Sequence, residues 1–296
     1  MKNIYVTIDT EADADIHWIK KEPLEFLSIT EGIPNYLRPL FNKVGINPLY
    51  FVSYEVLQDE NACNVLRQEI KNGAAIGAHL HPEYQNESVS NKEQHYPFPA
   101  LFLSFEEEEN KIRILTREIE NKLDVKPTWY RAARFGADID TMKILEKLGY
   151  LSDSSVTPGI DWTNKGGINH GKGTCGDYFI NENDYYSKLT DGRTLNICEH
   201  PVTIMGKRFG ILGKMMPDNW LFYRWFRPTH MFLFELKQMI DIASERQIEL
   251  VMMFHSMEVM VNKSPYVRNR FMQYCFLSRI EKSILYAKER GYKAIW

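Results

Sequence analysis

The chain has 296 residues, of which 44% are hydrophobic and 25% are charged, as in an ordinary globular protein with a substantial core. A formal net charge of −3 argues against a general nucleic-acid-binding protein, and no stretch approaches the roughly 20 apolar residues of a membrane-spanning helix. The four cysteines lack CxxC spacing and a strand begins directly after Met1, so we expect a cytoplasmic protein without a zinc finger, disulfides or a signal peptide.

Segments with strand and helix patterns alternate along the chain. Strands rich in β-branched and aromatic residues are predicted at residues 3–8, 47–53, 74–78, 127–130, 150–153, 194–198, 249–254 and 292–296. Helices are predicted at residues 30–44, 56–71, 104–123, 138–148, 232–246 and 270–290, and an irregular loop at 84–103. This alternation is typical of parallel strands with helices packed outside. We predict an α/β fold in one domain over residues 1–296, with an irregular insertion at about 155–230.

Ionisable residues follow almost every predicted strand. They are Asp9 and Glu11, Glu55, His79, His81 and Glu83, Arg131 and Arg134, Asp153, Glu199 and His200, and His255 and Glu258. In a (β/α) barrel the C-terminal ends of the strands carry the active site. Random loops are also polar, but they seldom place histidines directly after apolar strands three times. The pattern favours a metal-assisted active site.

His79, His81 and Glu83 form an H-x-H-x-E motif on a short extended segment. Alternate residues of an extended chain point to the same side, so two imidazoles and a carboxylate could converge on one cation. Such ligands suit zinc or another first-row metal with water in the open position. A polar loop whose histidines only form hydrogen bonds explains the motif equally well by itself. The presence of the acids Asp9 and Glu11 after the first strand favours the interpretation of the motif as a metal site.

His255 leaves a strand that is apolar at every position. Its ordinary pKa lies near neutral pH, which suits a proton donor whose ring Ser256 and Glu258 could orient. The alternative is a core histidine bonded to a backbone carbonyl.

Arg131 follows the fourth predicted strand. Arginine neither acts as a base nor binds metals, but it could keep Asp9 ionised and oriented. The alternative is an ordinary ion pair that links two loops, and Asp153 could be the partner in either case.

Residues 205–230 combine basic and aromatic side chains, including Lys207, Arg224, Trp225 and Arg227. Such a mixture can lie in a membrane interface beside anionic lipid. An amphipathic cover over a barrel or an oligomer contact is the favoured interpretation.

Five motifs, in chain order, resemble those of the NodB-like polysaccharide deacetylase family, carbohydrate esterase family four. They are TIDTE at 7–11, GAHLHPE at 77–83, YRAARFG at 130–136, DSSVTP at 153–158 and FHSMEV at 254–259. They look most like a divergent intracellular bacterial branch, and the resemblance covers most of the chain, least of all residues 155–230. It implies a distorted (β/α) barrel of about seven parallel strands and metal-dependent removal of an N-acetyl group from an amino sugar.

The resemblance also implies roles for individual residues. Asp9 matches the general base, and His79 matches a metal ligand. Arg131 matches the arginine that orients the base, and Asp153 a residue that supports that arginine. His255 matches the histidine that protonates the leaving amine.

The motifs depart from the family at the metal site. Thr10 stands where the family has a metal-binding aspartate, and Glu83 stands where it has a second ligand histidine. Either Glu11 and His81, or Glu11 and Glu83, rebuild the site with His79, or the metal is weak or absent. Asp13 is expected to be a solvated bystander.

We therefore expect a hydrolase of carbon–nitrogen bonds other than peptide bonds, an N-deacetylase of carbohydrate metabolism with Glu11, His79 and His81 on a divalent metal, zinc being favoured. Its substrate would be a polysaccharide or a lipid- or nucleotide-linked glycan, with residues 205–230 recognising the carrier and peripheral membrane contact left open. Two alternatives stay open. One is a catalytically inactive carbohydrate-binding relic of the fold, and the other is an amidohydrolase acting on a small cyclic amide.

Overall fold

The structure is a computed structural model, and it describes residues 2–85, 103–187, 191–208 and 220–295, apart from the side chain of Trp220. The strands are β1 (Lys2–Thr10), β2 (Leu49–Val52), β3 (Ala75–Leu80), β4 (Trp129–Ala132), β5 (Ser152–Asp153), β6 (Tyr178–Asn181), β7 (Thr194–Glu199), β8 (Ile204–Lys207), β9 (Tyr223–Trp225), β10 (Leu250–His255) and β11 (Tyr292–Ala294). The α-helices are α1 (Arg38–Val44), α2 (Glu60–Lys71), α3 (Phe105–Leu123), α4 (Ile139–Leu148), α5 (Leu233–Arg246) and α6 (Arg270–Glu289). A π-helix (Ser28–Leu37) precedes α1.

The predicted helices occur where local capping signals set their ends. Ser104 accepts a hydrogen bond from the Glu107 backbone N–H, and the Glu107 carboxylate accepts one from the N–H of Ser104, so α3 begins with a capping box. Asp138 caps α4 in the same way through Thr141. Gly149 ends α4 with a φ of 84°, a backbone conformation in which a β-carbon would be strained. These residues explain why the helix boundaries could be predicted to within a few positions.

The chain forms two compact units, one of residues 1–75 and 224–296 and the other of residues 76–223. In the first unit β1 lies between β10 and β2 and runs parallel to both, and β11 also pairs with the start of β1. The register runs from Ile4 opposite Leu250 to Asp9 opposite His255. The register of β1 and β10 thus places Asp9 beside His255 where these two buried strands end. The single-domain assignment stays a prediction.

In the second unit β3, β4, β5 and β7 are paired in that order and are parallel. Their register sets His79 beside Arg131, and Asp153 beside both Tyr130 and Glu199. With β10, β1 and β2 of the first unit, these strands account for the seven parallel strands expected from the sequence. Charged residues therefore end the strands of this unit too.

The insertion at 155–230 contains structure that the sequence did not predict. The strand β6 runs antiparallel to β7, with an irregularity in register between Phe179 and Asn181. Its four residues, YFIN, show no clean alternation of apolar and polar side chains, so its pattern was too weak to recognise. Most of the predicted loop at 84–103, and residues 209–219 of the basic and aromatic stretch, lie outside the described residues. Among the helices that are described, none has the length and apolar character needed to cross a membrane.

Candidate active site

The first unit brings two predicted catalytic residues, Asp9 and His255, to one place. The Nε2 atom of His255 lies 4.0 Å from Oδ2 of Asp9 and 3.8 Å from Oε1 of Glu11. Asp9 is only 2% exposed although it is an acid. A buried carboxylate needs polar partners, and the strand register supplies a histidine as one of them.

The ring of His255 is held from its other side by Glu258. Nδ1 of His255 lies 2.9 Å from Oε1 of Glu258, and the backbone N–H of His255 donates to the same oxygen. Burial raises the pKa of Glu258, but Arg227 and His255 outweigh it and hold this pKa well below the usual value. Nη2 of Arg227 also lies near Nδ1, at 3.1 Å, but the Glu258 oxygen is nearer and an ionised carboxylate only accepts hydrogen bonds. We therefore assign the proton to Nδ1. The other ring nitrogen, Nε2, faces Asp9.

Arg227 is a member of this group that sequence analysis did not identify. Its guanidinium donates to Oε1 of Glu258, and the hydroxyl of Thr229 donates to Oε2 at 2.7 Å. The Arg227 guanidinium also lies 5.3 Å from the centre of the Tyr266 ring. Arg227 is separated from Glu258 by 31 positions and belongs to a stretch interpreted as a cover, so nothing local in the sequence linked the two residues.

Glu11 makes an ion pair that was also missed. Nζ of Lys20 lies 2.8 Å from Oε2 of Glu11 and 3.6 Å from Oε1 of Glu55. The backbone N–H of Ala12 donates to Glu55 as well. Lys20 therefore holds one oxygen of Glu11 while the other oxygen faces His255.

The expectation that Asp13 is solvated is wrong. Asp13 is 4% exposed, and both its oxygens accept from the backbone N–H of Ser28, at 3.2 and 3.3 Å. Burial raises its pKa, while Ser28 and Lys263 act in the opposite direction. The π-helix that begins at Ser28 leaves a backbone N–H without an intrahelical acceptor, and Asp13 supplies one.

In the second unit the end of β3 carries His79 with a defined orientation. Nδ1 of His79 lies 2.8 Å from the backbone oxygen of Arg131, its neighbour in the strand register. A carbonyl oxygen can only accept, so Nδ1 carries the proton and Nε2 keeps its lone pair. A backbone carbonyl at the second nitrogen is the usual environment of a metal-bound histidine.

His81 has the equivalent contact with a carboxylate. Nδ1 of His81 lies 3.1 Å from Oε1 of Glu83, which also accepts from Nη2 of Arg134 at 2.8 Å. Burial raises the pKa of Glu83, but His81 and Arg134 outweigh it and lower the pKa to about 2. One ring nitrogen of His81 and one of His79 lie within 4.8 Å of each other. The second unit therefore presents two oriented imidazoles close together.

Arg134 lies in a strained turn that the sequence did not predict. Arg134 and Phe135 have φ angles of 53° and 55°, although neither is glycine. Burial lowers the pKa of His170 to about 4, and its ring, at Nε2, lies 2.9 Å from the backbone oxygen of Phe135. Gly167 packs so closely that an added β-carbon would lie 2.4 Å from the backbone oxygen of Arg134. The insertion thus packs against the turn that delivers Arg134 to Glu83.

Arg131 is fully buried and is bound by the residue after Asp153. Its Nε donates to the backbone oxygen of Ser154 at 2.8 Å, and its Nη2 donates to the Ser154 hydroxyl at 2.7 Å. Asp153 accepts from the hydroxyls of Ser155, at 2.7 Å, and Tyr185, at 2.9 Å. Burial and the Asp153 charge raise the pKa of Glu199 well above its usual value. The support of Arg131 by Asp153 itself stays a prediction.

Comparison with known proteins gives a likeness in structure alone. No family model and no curated protein matches the chain. The solved structure of PuuE allantoinase matches 97% of this chain and 83% of its own, with a TM-score of 0.53 and 13% identity, so the chain shares its fold. Two further matches are a chitin deacetylase from the fungal pathogen Colletotrichum lindemuthianum (TM-score 0.48, 11% identity, 99% of this chain and 84% of that one) and a family 4 carbohydrate esterase from Streptomyces lividans (TM-score 0.45, 9% identity, 99% and 91%).

The fold class predicted from the sequence is confirmed. The chain has the α/β fold of the (β/α)-barrel class that the resemblance to NodB-like polysaccharide deacetylases implied.

Proposed function

We propose that the protein is a metal-dependent hydrolase that removes an N-acetyl group from an amino sugar. The observation that carries the proposal is shared by three histidines at or just after the C-terminal ends of parallel strands. In His79, His81 and His255 an acceptor lies at Nδ1, namely a backbone carbonyl in the first and a carboxylate in the other two. Each ring therefore offers Nε2 for a metal or for proton transfer. Histidines of an ordinary polar loop would have no reason to share this orientation.

We assign the metal to Glu11, His79 and His81. Two neutral imidazoles and a carboxylate are a donor set that zinc accepts, with one position left for water. The contacts at Nδ1 of His79 and His81 fit this assignment, because metal-bound histidines commonly donate from their second nitrogen. Glu83 then positions His81 instead of replacing it as a ligand. When bound, the ion polarises the acetamide carbonyl and lowers the pKa of a water molecule.

The side chains supply the remaining chemistry. Asp9 takes a proton from the water that attacks the carbonyl carbon, and Arg131, supported by Asp153, keeps Asp9 oriented. His255 donates a proton from Nε2 to the sugar nitrogen as the carbon–nitrogen bond breaks, and acetate and the free amine leave. Glu258 compensates the charge of the imidazolium through Nδ1, and its own charge is secured by Arg227.

The basic and aromatic residues of the insertion support the proposal of a glycan with a phosphate-containing carrier. Nζ of Lys207 lies 5.5 Å from the centre of the Tyr223 ring, which pairs a cation with an aromatic face in one place. An aromatic face suits a sugar ring, and a cation suits a phosphate. A glycan carried on a diphosphate or a lipid fits both groups.

A second candidate function is hydrolysis of a small cyclic amide. It is favoured by the shared fold with PuuE allantoinase, the match with the highest TM-score of the three described above. The same groups would act, since both reactions add water to an amide carbonyl. The two functions differ in whether the product is acetate or an opened ring.

The decisive experiment offers the zinc-loaded protein both kinds of substrate. The proposed function requires acetate release from an N-acetylated amino sugar, whereas opening of a cyclic amide without acetate release would favour the second candidate. Thr10 is buried and donates to the backbone oxygen of Ile8 at 3.0 Å. If neither substrate reacts although zinc binds, the catalytically inactive alternative is favoured, with Thr10 in the place of the family's metal-binding aspartate.

A further inference from the structure

A second group of potential metal-binding side chains lies at one end of the antiparallel pair β6–β7 of the insertion, where β6 begins and β7 ends. Asp177, Cys198 and His200 each offer one ligand atom, and these atoms all lie within 4.8 Å of one another. None of them belongs to the set assigned to the deacetylase metal. We propose that Asp177, Cys198 and His200 bind a zinc ion that fastens β6 to β7.

The strand register explains why these three residues converge. Phe179 pairs with Cys198, and Tyr178 with Glu199, so one further step sets Asp177 opposite His200. Directly opposed residues of antiparallel strands have β-carbons about 4.5–5.5 Å apart. Cys198 and His200 are two positions apart and share one side of the extended chain. Asp177 is their neighbour across the strands.

The intervening residue shows that this site is separate from the buried acids near Arg131. Glu199 points to the opposite side of the chain, where it accepts from the backbone N–H of Val156 at 2.9 Å and lies beside Asp153. The cation proposed here would therefore be bound without Glu199.

The chemistry of the three groups fits zinc. Nδ1 of His200 lies 2.7 Å from Oδ2 of Asp177. An ion pair would need only these two residues, whereas the nearby thiol of Cys198 adds the sulfur ligand that favours a zinc site. Zinc binds sulfur at about 2.3 Å and nitrogen or oxygen at about 2.0–2.2 Å, so its ligands lie roughly 3–4 Å apart. The ligand atoms lie within 4.8 Å of one another, so small side-chain rotations would bring them to that spacing. The Asp177 side chain is 22% exposed, which leaves room for water as a fourth ligand.

The imidazole is already oriented by its surroundings. The ring of Trp129 stacks on the ring of His200 with centroids 4.4 Å apart and an interplanar angle of 29°. A fixed ring loses less conformational entropy when it binds a cation. The ion would connect the start of β6 to the end of β7 within the insertion.

Cobalt(II) binding tests the proposal, because a thiolate ligand gives cobalt a near-ultraviolet charge-transfer band. The full-length protein is stripped of metal and titrated with cobalt, and we expect this band to appear in the wild type. Cys198→Ser should lose the band and bind one metal equivalent fewer. Cys275→Ser, a change of another half-buried thiol in the other unit, should keep both.

Two results would overturn the proposal. One is a wild-type protein that binds cobalt without any sulfur band, and the other is a band that survives Cys198→Ser unchanged. The band is independent of the proposed deacetylase metal, since Glu11, His79 and His81 include no thiol. Cys198→Ser should also leave acetate release unchanged.

Discussion

At the scale of single residues, the candidate site depends on which nitrogen of each histidine carries its proton. The backbone oxygen of Arg131 assigns the proton to Nδ1 in His79, and a carboxylate does so in His81. In His255 the same assignment follows from Glu258, which lies nearer to Nδ1 than Arg227 does. These acceptors keep their roles at neutral pH, because nearby cations hold the pKa values of Glu83 and Glu258 below the usual value despite burial. The proposed roles of His81 and His255 therefore depend on Glu83 and Glu258, which orient their rings.

Glu83→Gln tests the assignment of Glu83 as a positioning residue. The amide keeps the size of the side chain but removes the charge that orients His81 and binds Arg134. We expect zinc affinity to fall about 10–100-fold, as for other partners of metal-bound histidines. Competition with a chromophoric chelator measures the affinity, and Glu106→Gln, at an exposed position of α3, serves as the control. Equal affinities in both variants would contradict the assignment.

Glu258→Gln tests the buried ion pair behind His255. The change leaves the buried guanidinium of Arg227 without its anionic partner. Breaking one side of a buried pair costs about 3–5 kcal/mol, so the free energy of unfolding should fall by that order. Urea denaturation measures it, with Glu245→Gln on the exposed face of α5 as the matched control. A loss below 1 kcal/mol would mean that Arg227 finds another partner.

At the scale of secondary-structure elements, the strand register and the turn after β4 position the functional groups. The register could be anticipated, because acids and histidines follow apolar strands in the sequence. The turn could not, because Arg134 and Phe135 adopt positive φ angles that such residues rarely take. It is stabilised by distant parts of the insertion, among them His170 and Gly167, and no local pattern encodes such contacts.

Gly167→Ala tests how closely the insertion packs on this turn. Its β-carbon would meet the backbone oxygen of Arg134 at 2.4 Å and the β-carbon of Trp162 at 2.6 Å. We expect a loss of about 1–3 kcal/mol in the free energy of unfolding, together with weaker zinc binding. Gly136→Ala in the same turn is the control, because its β-carbon would approach no atom more closely than 3.4 Å. Equal stability of the two variants would refute the close packing.

The stability of the protein should depend on pH through Glu108, an acid of α3 that is buried against α4. Burial raises the pKa of Glu108 to about 7, although Thr141 donates to its carboxylate at 2.8 Å. The unfolded chain releases this proton near pH 4.5, so stability is lost as the pH rises from about 4.5 through 7. Glu108→Gln should therefore gain about 3 kcal/mol relative to the wild type between pH 4.5 and 8.

Urea denaturation at the two pH values measures this gain. Glu106→Gln, two residues earlier at an exposed position of α3, should show no such gain. If the difference in the free energy of unfolding between Glu108→Gln and the wild type is the same at both pH values, folding does not raise the pKa of Glu108, and the prediction is wrong.

At the scale of the whole molecule, the sequence predicted the parallel strands, the principal helices and the fold class. The ends of the strands are easy to recognise, because a charged residue directly after an apolar run marks the point where a buried strand reaches the edge of the sheet. Partners far apart in the chain were missed, such as Arg227 for Glu258, since their contacts depend on tertiary packing. Asp13 was misjudged for the same reason, because only the folded chain brings the first N–H of the π-helix to it.

The central claim is that Asp9 is the base of a metal-dependent deacetylase. The most direct test compares acetate release from an N-acetylated amino sugar by the zinc-loaded wild type and Asp9→Asn, with Asp15→Asn, in the loop that follows β1, as the control. A general base contributes about 10²–10⁴-fold, so kcat should fall by that factor in Asp9→Asn and stay unchanged in Asp15→Asn, while zinc content stays the same in all three proteins. Acetate release by Asp9→Asn at the wild-type rate would contradict the claim.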